Sequence, residues 1–223
     1  MSQPEAESLD FDVLDATIPI FPLTGVLLLP RGMLPLNIFE PRYLAMTRDA
    51  LAGSRLIGMI QPQEAFSRSE RPAVYRTGCL GRIDASVDTE DGRMLITLRG
   101  ICRFNVSQEL PMTLPYRQVT ADYTGFAADM APAANGQINR PRLIAALRNY
   151  LDRQNLPADW PSIDAAQDEV LVHSLAMICP FAPSEKQALL EADALAARGS
   201  LLTSLLEMAL LERPSAGSAG RFN

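Results

Sequence analysis

The side chains that most often do chemistry are scarce in this 223-residue chain. There is one histidine, His173, one lysine, Lys186, and three cysteines, Cys79, Cys102 and Cys179. A histidine can serve as a general base, and a serine beside a histidine or lysine can become a nucleophile. Neither arrangement has its supporting motif. No G-x-S-x-G elbow accompanies His173. It follows Val170 and precedes Met177 at helical spacing, which puts it beside an apolar face and suits a structural histidine. Lys186 stands outside any Gly-rich loop, and the G-x-x-x-x-G-K-[ST] pattern of a phosphate loop is missing. The cysteines form no C-x-x-C pair, so they read as reduced thiols in or near a core. Asp88, Glu90 and Asp91 cluster, but within DTEDGR, a solvated turn. The expectation is no catalytic residue, no metal and no cofactor.

One segment stands out by its composition. Ile18 to Tyr43 reads IPIFPLTGVLLLPRGMLPLNIFEPRY, mostly apolar yet broken by five prolines and two glycines. Neither a buried helix nor a central strand tolerates that pattern. Around the Pro30–Gly32 corner, Leu27, Leu28, Leu29, Arg31, Met33 and Leu34 are the candidate binding residues. Extended chain alternates its side chains between two faces, so not all of them can point inward.

The elements around this segment divide the chain. Between Ile18 and Thr124 the pattern is mostly strand-like. LIGMIQ is a short buried strand, and VYRTGCLGRIDASV and MLITLRG flank Asp91-Gly92, a strong hairpin signal. CRFNVSQEL and YRQVTADYT supply two further candidate strands. One helix interrupts them. Pro41 suits its first position, Tyr43, Leu44, Thr47, Ala50 and Leu51 form its stripe, and Gly53 ends it. Residues 125–137, GFAADMAPAANGQ, read as a small-residue linker. Helices then follow from Pro141, over DAAQDEVLVHSLAMIC, from a Ser184–Gln187 capping box after Pro183, and over Asp193 to Glu212. Residues 1–17 read as a disordered acidic arm and 213–223 as a flexible tail.

Charge narrows the partners. Residues 1–15 hold five acids and no base, whereas residues 31–103 hold eleven arginines against eight acids. The whole chain has a net charge of −6, which disfavours a nucleic-acid partner. No apolar run is long enough for a membrane span, and the N-terminus has no basic, apolar signal pattern, so a cytoplasmic location is expected.

Several ordered blocks now resemble one family. IPIFPLTGVLLLPRGMLPLNIFEPRY is similar to the N-terminal substrate-recognition domain of ATP-dependent Lon proteases. Its LNIFEPRY variant is closest to stand-alone Lon-domain proteins and to the corresponding domain of cereblon. LIGMIQP, VYRTGCLGRI, DGRMLITLRGICRF and SEKQALLEADALAARGSLLTSLLEMAL resemble later blocks in order, so the resemblance covers about 18–212. It implies an α+β fold: a PUA-like β-barrel over 18–124 with one inserted helix, then a helical bundle over 138–212. Short, bent barrel strands would explain the prolines and glycines. The matching motif positions are Pro22, Gly32, Pro35, Phe39, Glu40, Pro41, Arg42, Tyr43, Gly78, Gly100 and Arg103, expected to be structural. Among them Glu40 is expected to form a partly buried ion pair with Arg99 or Arg103, holding the helix on the barrel.

The resemblance implies a polypeptide-recognition module for unfolded or partner protein segments, with a protease or chaperone as a candidate partner. Neither the ATPase nor the Ser-Lys protease module of Lon is found in these residues, so recognition without proteolysis is expected. RNA binding by a PUA-like barrel is the alternative, and a small-molecule hydrolase is a third reading that lacks an activated nucleophile.

Overall fold

The structure, a computed structural model, describes residues 14–64, 69 and 71–211. The expected acidic arm therefore lies outside the described residues up to residue 13, as does the tail at 213–223. The arm's last residues are already part of the fold. The carbonyl of Asp15 accepts from the Tyr123 hydroxyl at 2.9 Å, and that of Ala16 from Ala121 N–H at 2.8 Å.

Among the described residues, six strands form one mixed sheet: β1 (Thr17–Pro22), β2 (Met33–Ile38), β3 (Leu56–Ile60), β4 (Thr77–Asp88), β5 (Met94–Glu109) and β6 (Gln118–Asp122). Their order is β2-β5-β4-β3-β1-β6, and β5 also pairs with β6. β1 runs parallel to β3; the other pairs are antiparallel. The turn at Asp91-Gly92 joins β4 and β5 as expected, with Gly92 at φ +81°. MLITLRG and CRFNVSQEL, expected as separate strands, are one strand, β5. Gly100 does not break it, because it serves close approach instead. A Cβ there would stand 2.0 Å from the Leu29 carbonyl oxygen. Gly78 is similar, since a Cβ would meet the Phe104 ring at 2.5 Å.

α1 (Pro41–Ala52) starts at Pro41 and turns Tyr43, Met46, Thr47 and Ala50 inward. Gly53 ends it, donating to Ala50 O at 3.1 Å. The ion pair expected for Glu40 is not formed. Glu40 pairs with Arg42 at 2.8 Å, Arg99 with Asp84 and Arg103 with Asp129. Each of the three arginines meets a different carboxylate.

The helices are α2 (Arg140–Gln154), α3 (Trp160–Ala165), α4 (Asp168–Ile178), α5 (Pro183–Glu191) and α6 (Leu195–Leu211). α3 was not anticipated. Its Asp159 cap accepts from Ser162 N–H, and the chain breaks before α4, where Arg140 reaches Asp168 and the carbonyls of Ile163 and Asp164. The expected Ser184–Gln187 box is replaced by one that starts two residues earlier. Ala182 is the cap, Glu185 accepts from its N–H at 2.7 Å, and Gln187 is buried.

Residues 125–137, expected as a linker, are tied down. Thr124–Met130 forms 3-10 turns carrying a buried Asp129, and Asp168 accepts from Gly136 N–H at 2.7 Å. One apolar cluster includes Phe21, Leu28, Ile38 and Leu98 of the strand region together with Leu143, Val172, Leu189 and Leu206 of the helices. A second fills the sheet's other side around Ile18, Ile20, Leu80 and Phe104. Among the described residues no helix is long and apolar enough to cross a membrane.

Candidate functional site

The Pro30–Gly32 corner is a β-turn followed by a bulge. Gly32 N–H donates to Leu29 O at 2.9 Å, with Pro30 at the second position of the turn. Arg31 N–H donates to Gly100 O and Gly100 N–H donates to Gly32 O, so two residues of this strand oppose one of β5. The first bulge position needs positive φ and ordinarily takes glycine. Here it is Arg31, at φ 63°. A left-handed arginine costs on the order of 1 kcal/mol, and its side chain offsets that cost. Its Nε donates to Glu169 Oε2 at 2.9 Å, a second guanidinium nitrogen reaches the other carboxylate oxygen, and a third donates to the Asp129 carbonyl.

Behind this corner lies a buried polar network. Arg103 grips Asp129 through two nitrogens, at 2.8 and 2.9 Å, and its backbone N–H also donates to that carboxylate. Burial alone would raise the pKa of Asp129, but the hydrogen bonds and charge of Arg103 hold it below the usual carboxylate range. Arg103 and Arg198 also collect the carbonyls at the end of α5. Arg103 donates to Leu190 and Ala192, and Arg198 to Leu189 and Ala192. A helix C-terminus leaves such carbonyls unpaired and partly negative, which suits two guanidinium groups.

His173 completes the chain of contacts. Arg198 can only donate, so His173 Nε2 accepts from it at 3.0 Å. The Pro30 carbonyl can only accept, so Nδ1 carries the proton and donates at 3.0 Å. The imidazole is neutral. Burial, then the charge of Arg198, pushes its pKa down to about 4. With both nitrogens committed, it has no free position from which to act as a general base. Lys186 donates to Met177 O at 3.0 Å, and burial lowers its pKa.

Over this network, between the corner and α4, a groove of about 350 Å³ is open. Pro30, Met33, Pro132, Val170, Met177 and Ile178 give it apolar walls, and Arg31, Glu169 and His173 lie at its polar side. Met33, Val170 and Ile178 are well exposed, Ile178 by 78%. Such a surface can hold apolar side chains while fixed polar groups orient what binds.

The structure divides the sequence candidates. Arg31 and Met33 line the groove, and Leu34 is half-buried beside it. Leu27, Leu28 and Leu29 are not surface residues; they fill the core because the chain turns only after them. Gly32 lies in the groove wall against Met177. Pro35 and Phe39 are exposed along and beyond β2. Pro22, Arg42 and Tyr43 instead line a smaller cavity of about 180 Å³ with Tyr116 and Arg117. Val170, Ile178, Glu169, Asp129 and Arg198 were missed as site residues. Val170 and Ile178 both sit off the buried stripe of α4, where apolar residues have no core to enter.

Comparison with known proteins adds the lineage. A family model described as the ATP-dependent protease La (LON) substrate-binding domain matches residues 17–208. Lon protease 2 of Myxococcus xanthus is 25% identical over 206 residues, 85% of this chain and 23% of that protein. Lon protease of Anaeromyxobacter dehalogenans is 26% identical over 207 residues, 86% of this chain and 23% of that one. The chain thus spans about a quarter or less of the length of these relatives. Among solved structures, a Lon N-terminal domain protein from Xanthomonas campestris superposes with a TM-score of 0.59 at 22% identity, over 84% of this chain and 97% of that one. The N-terminal domain of a Mycobacterium avium complex Lon protease gives 0.58 at 16% identity, over 86% and 98%.

Proposed function

From the premise that the chain belongs to the family of Lon substrate-binding domains, we propose that it is a non-enzymatic module that recognises unfolded or partner polypeptide segments. The observation that carries this reading is the groove between the Pro30–Met33 corner and α4. Its apolar wall residues Met33, Val170 and Ile178 face solvent although a large core is available to bury such side chains. The corner itself is held by Arg31, His173 and the Arg103–Asp129 pair, so the wall is preformed rather than folded by its ligand. The PUA-like barrel belongs to the same proposal. Its support is the circuit of pairings from β5 through β4, β3, β1 and β6 back to β5. The helices α2 to α6 would then be the bundle set against it.

This reading takes precedence over RNA binding because six of the eleven arginines of residues 31–103 are engaged by carboxylates. Arg31, Arg42, Arg71, Arg93, Arg99 and Arg103 pair with Glu169, Glu40, Glu109, Asp91, Asp84 and Asp129. Together with the net charge of −6, that weakens the case for phosphate binding.

The test uses reduced, carboxymethylated α-lactalbumin, a permanently unfolded chain, with binding read by calorimetry. The protein is expected to bind it, and Val170→Asp with Ile178→Asp to weaken binding at least about tenfold, since two charges would enter an apolar contact. Both positions are exposed, so the fold should hold. Unchanged affinity in that double variant would remove the groove from the proposal, and no binding by the unaltered protein would remove the function.

A further inference from the structure

β2 has a second surface that the groove does not use. It stands at the end of the sheet order, and among the described residues only β5 pairs with it. The bulge fixes which of its backbone groups are free. Gly100 exchanges hydrogen bonds with Arg31 and Gly32, so the next residues alternate from there. Leu34 and Leu36 fall in hydrogen-bonded register with Leu98 and Ile96. Met33, Pro35 and Asn37 oppose Arg99, Thr97 and Leu95, with their own backbone polar groups turned to the open edge. Pro35 sits in that outward set, where its missing N–H costs no ladder bond. The edge therefore offers the N–H and C=O of Met33 and Asn37 and the C=O of Pro35.

The side chains beside this edge are apolar and exposed at both ends. Met33, Val170 and Ile178 lie at the groove end and Phe39 at the other, with Leu95 and Val87 one and two strands in from it. The far end also carries charge. Ile38 pairs with Met94, and Met94 with Asp88, so β2 ends beside the turn holding Asp88, Glu90 and Asp91. Asp91 pairs with Arg93. Asp88 and Glu90 are exposed, and no described side chain pairs with them.

We infer that the occupant is an extended apolar segment that adds to the open edge of β2 as a further strand, with a cationic residue placed at the Asp88–Glu90 turn. This inference rests on the polypeptide-recognition reading and specifies its mode. Backbone hydrogen bonds to Met33, Pro35 and Asn37 would supply affinity that is tolerant of sequence. Apolar side chains would choose among segments, and the acidic turn would set which end lies where.

The test uses a capped peptide of alternating valine and threonine that ends in two lysines. It is compared with one form N-methylated on every valine and another on every threonine. An added strand turns only alternate N–H groups toward its neighbour, so one methylated form should lose binding by more than about tenfold while the other keeps it. Ending the peptide in two glutamates should also weaken binding, most at low salt. Asn37→Pro removes an outward N–H without touching the β5 ladder and should cost about tenfold, whereas Asn37→Ala should cost little. If Asn37→Pro does not fold, the methylated peptides decide on the unaltered protein. Equal binding of both methylated forms overturns strand addition and leaves polypeptide recognition standing. So does binding of the unfolded lactalbumin with no binding of any peptide form. Failure of lactalbumin and peptides together removes both readings.

Discussion

Pro30-Arg31 and Pro41-Arg42 are the same dipeptide used in opposite ways. At the first, the arginine reaches across the molecule to Glu169 on α4 and to Asp129 O, and the proline carbonyl is held by His173. At the second, the arginine turns back on its own neighbour, Glu40, two residues away. The first corner rests on a buried pair, Arg103–Asp129, whose side chains are 5% and 9% exposed. The Glu40–Arg42 pair is 43% and 42% exposed. An ion pair is worth what its surroundings make of it. In the interior, losing one partner strands a charge; at the surface, water replaces it.

The strongest way to break this contrast is to remove Asp129. Asp129→Ala would leave Arg103 buried without its carboxylate and should cost about 3–5 kcal/mol. The melting temperature should fall by roughly 10 °C or more for a domain of this size. A loss under about 1 kcal/mol by chemical denaturation would mean that the network is decorative, and the contrast between the corners would collapse.

The next effect is acid sensitivity, and it comes from the same corner. The pKa of His173 is lowered from about 6.5 to about 4 in the folded chain, first by burial and then by Arg198. The unfolded chain therefore takes up this proton at a higher pH than the native one. Its contribution is fully present above about pH 6.5 and drains away as pH falls toward 4, by at most about 3 kcal/mol. Stability measured from pH 7 to 4 should show that slope, and His173→Gln should flatten it even if it is less stable at pH 7. An unchanged slope in the variant would show that His173 is not the group that titrates.

These effects explain which parts of the molecule were legible in the sequence. The Asp91-Gly92 hairpin, the start of α1 at Pro41 and its end at Gly53 follow from local chemistry, and the structure has them. Tyr43, Thr47 and Ala50 lie inward as their spacing required. Asp129 was invisible for the converse reason. It lies in GFAADMAPAANGQ, where no periodicity marks a buried residue, and its partner is 26 positions away. Arg103 was picked out as a motif position, but nothing local says which carboxylate a buried arginine will meet. The leucines at 27–29 were misplaced because a strand alternates only while it remains a strand. Leu27, Leu28 and Leu29 lie outside β1 and β2, in irregular chain that can turn consecutive side chains inward. Val170 shows the limit of spacing: with Met177 it marks an apolar face beside His173, but the structure buries His173 and leaves Val170 and Ile178 exposed, because the core lies against the neighbouring face of α4.

The smallest expected effect sharpens the comparison from its weaker side. Glu40→Ala should change stability by only about 0–1 kcal/mol, as for other exposed ion pairs. Glu40 makes no side-chain cap to α1, so the helix start at Pro41 should survive its loss. Arg42→Ala should cost somewhat more, because the Arg42 guanidinium also lies 4.6 Å from the centre of the Tyr43 ring. Tyr43 is buried and packs on Phe21 at 4.1 Å, so uncovering its face exposes part of the core. The order reverses what the sequence suggested, in which Glu40 held the helix through a buried arginine. Thermal unfolding of the two single variants and the double variant decides it. If Glu40→Ala costs more than about 2 kcal/mol, its carboxylate has a role beyond the pair with Arg42. The two corners would then differ in partner rather than in strength.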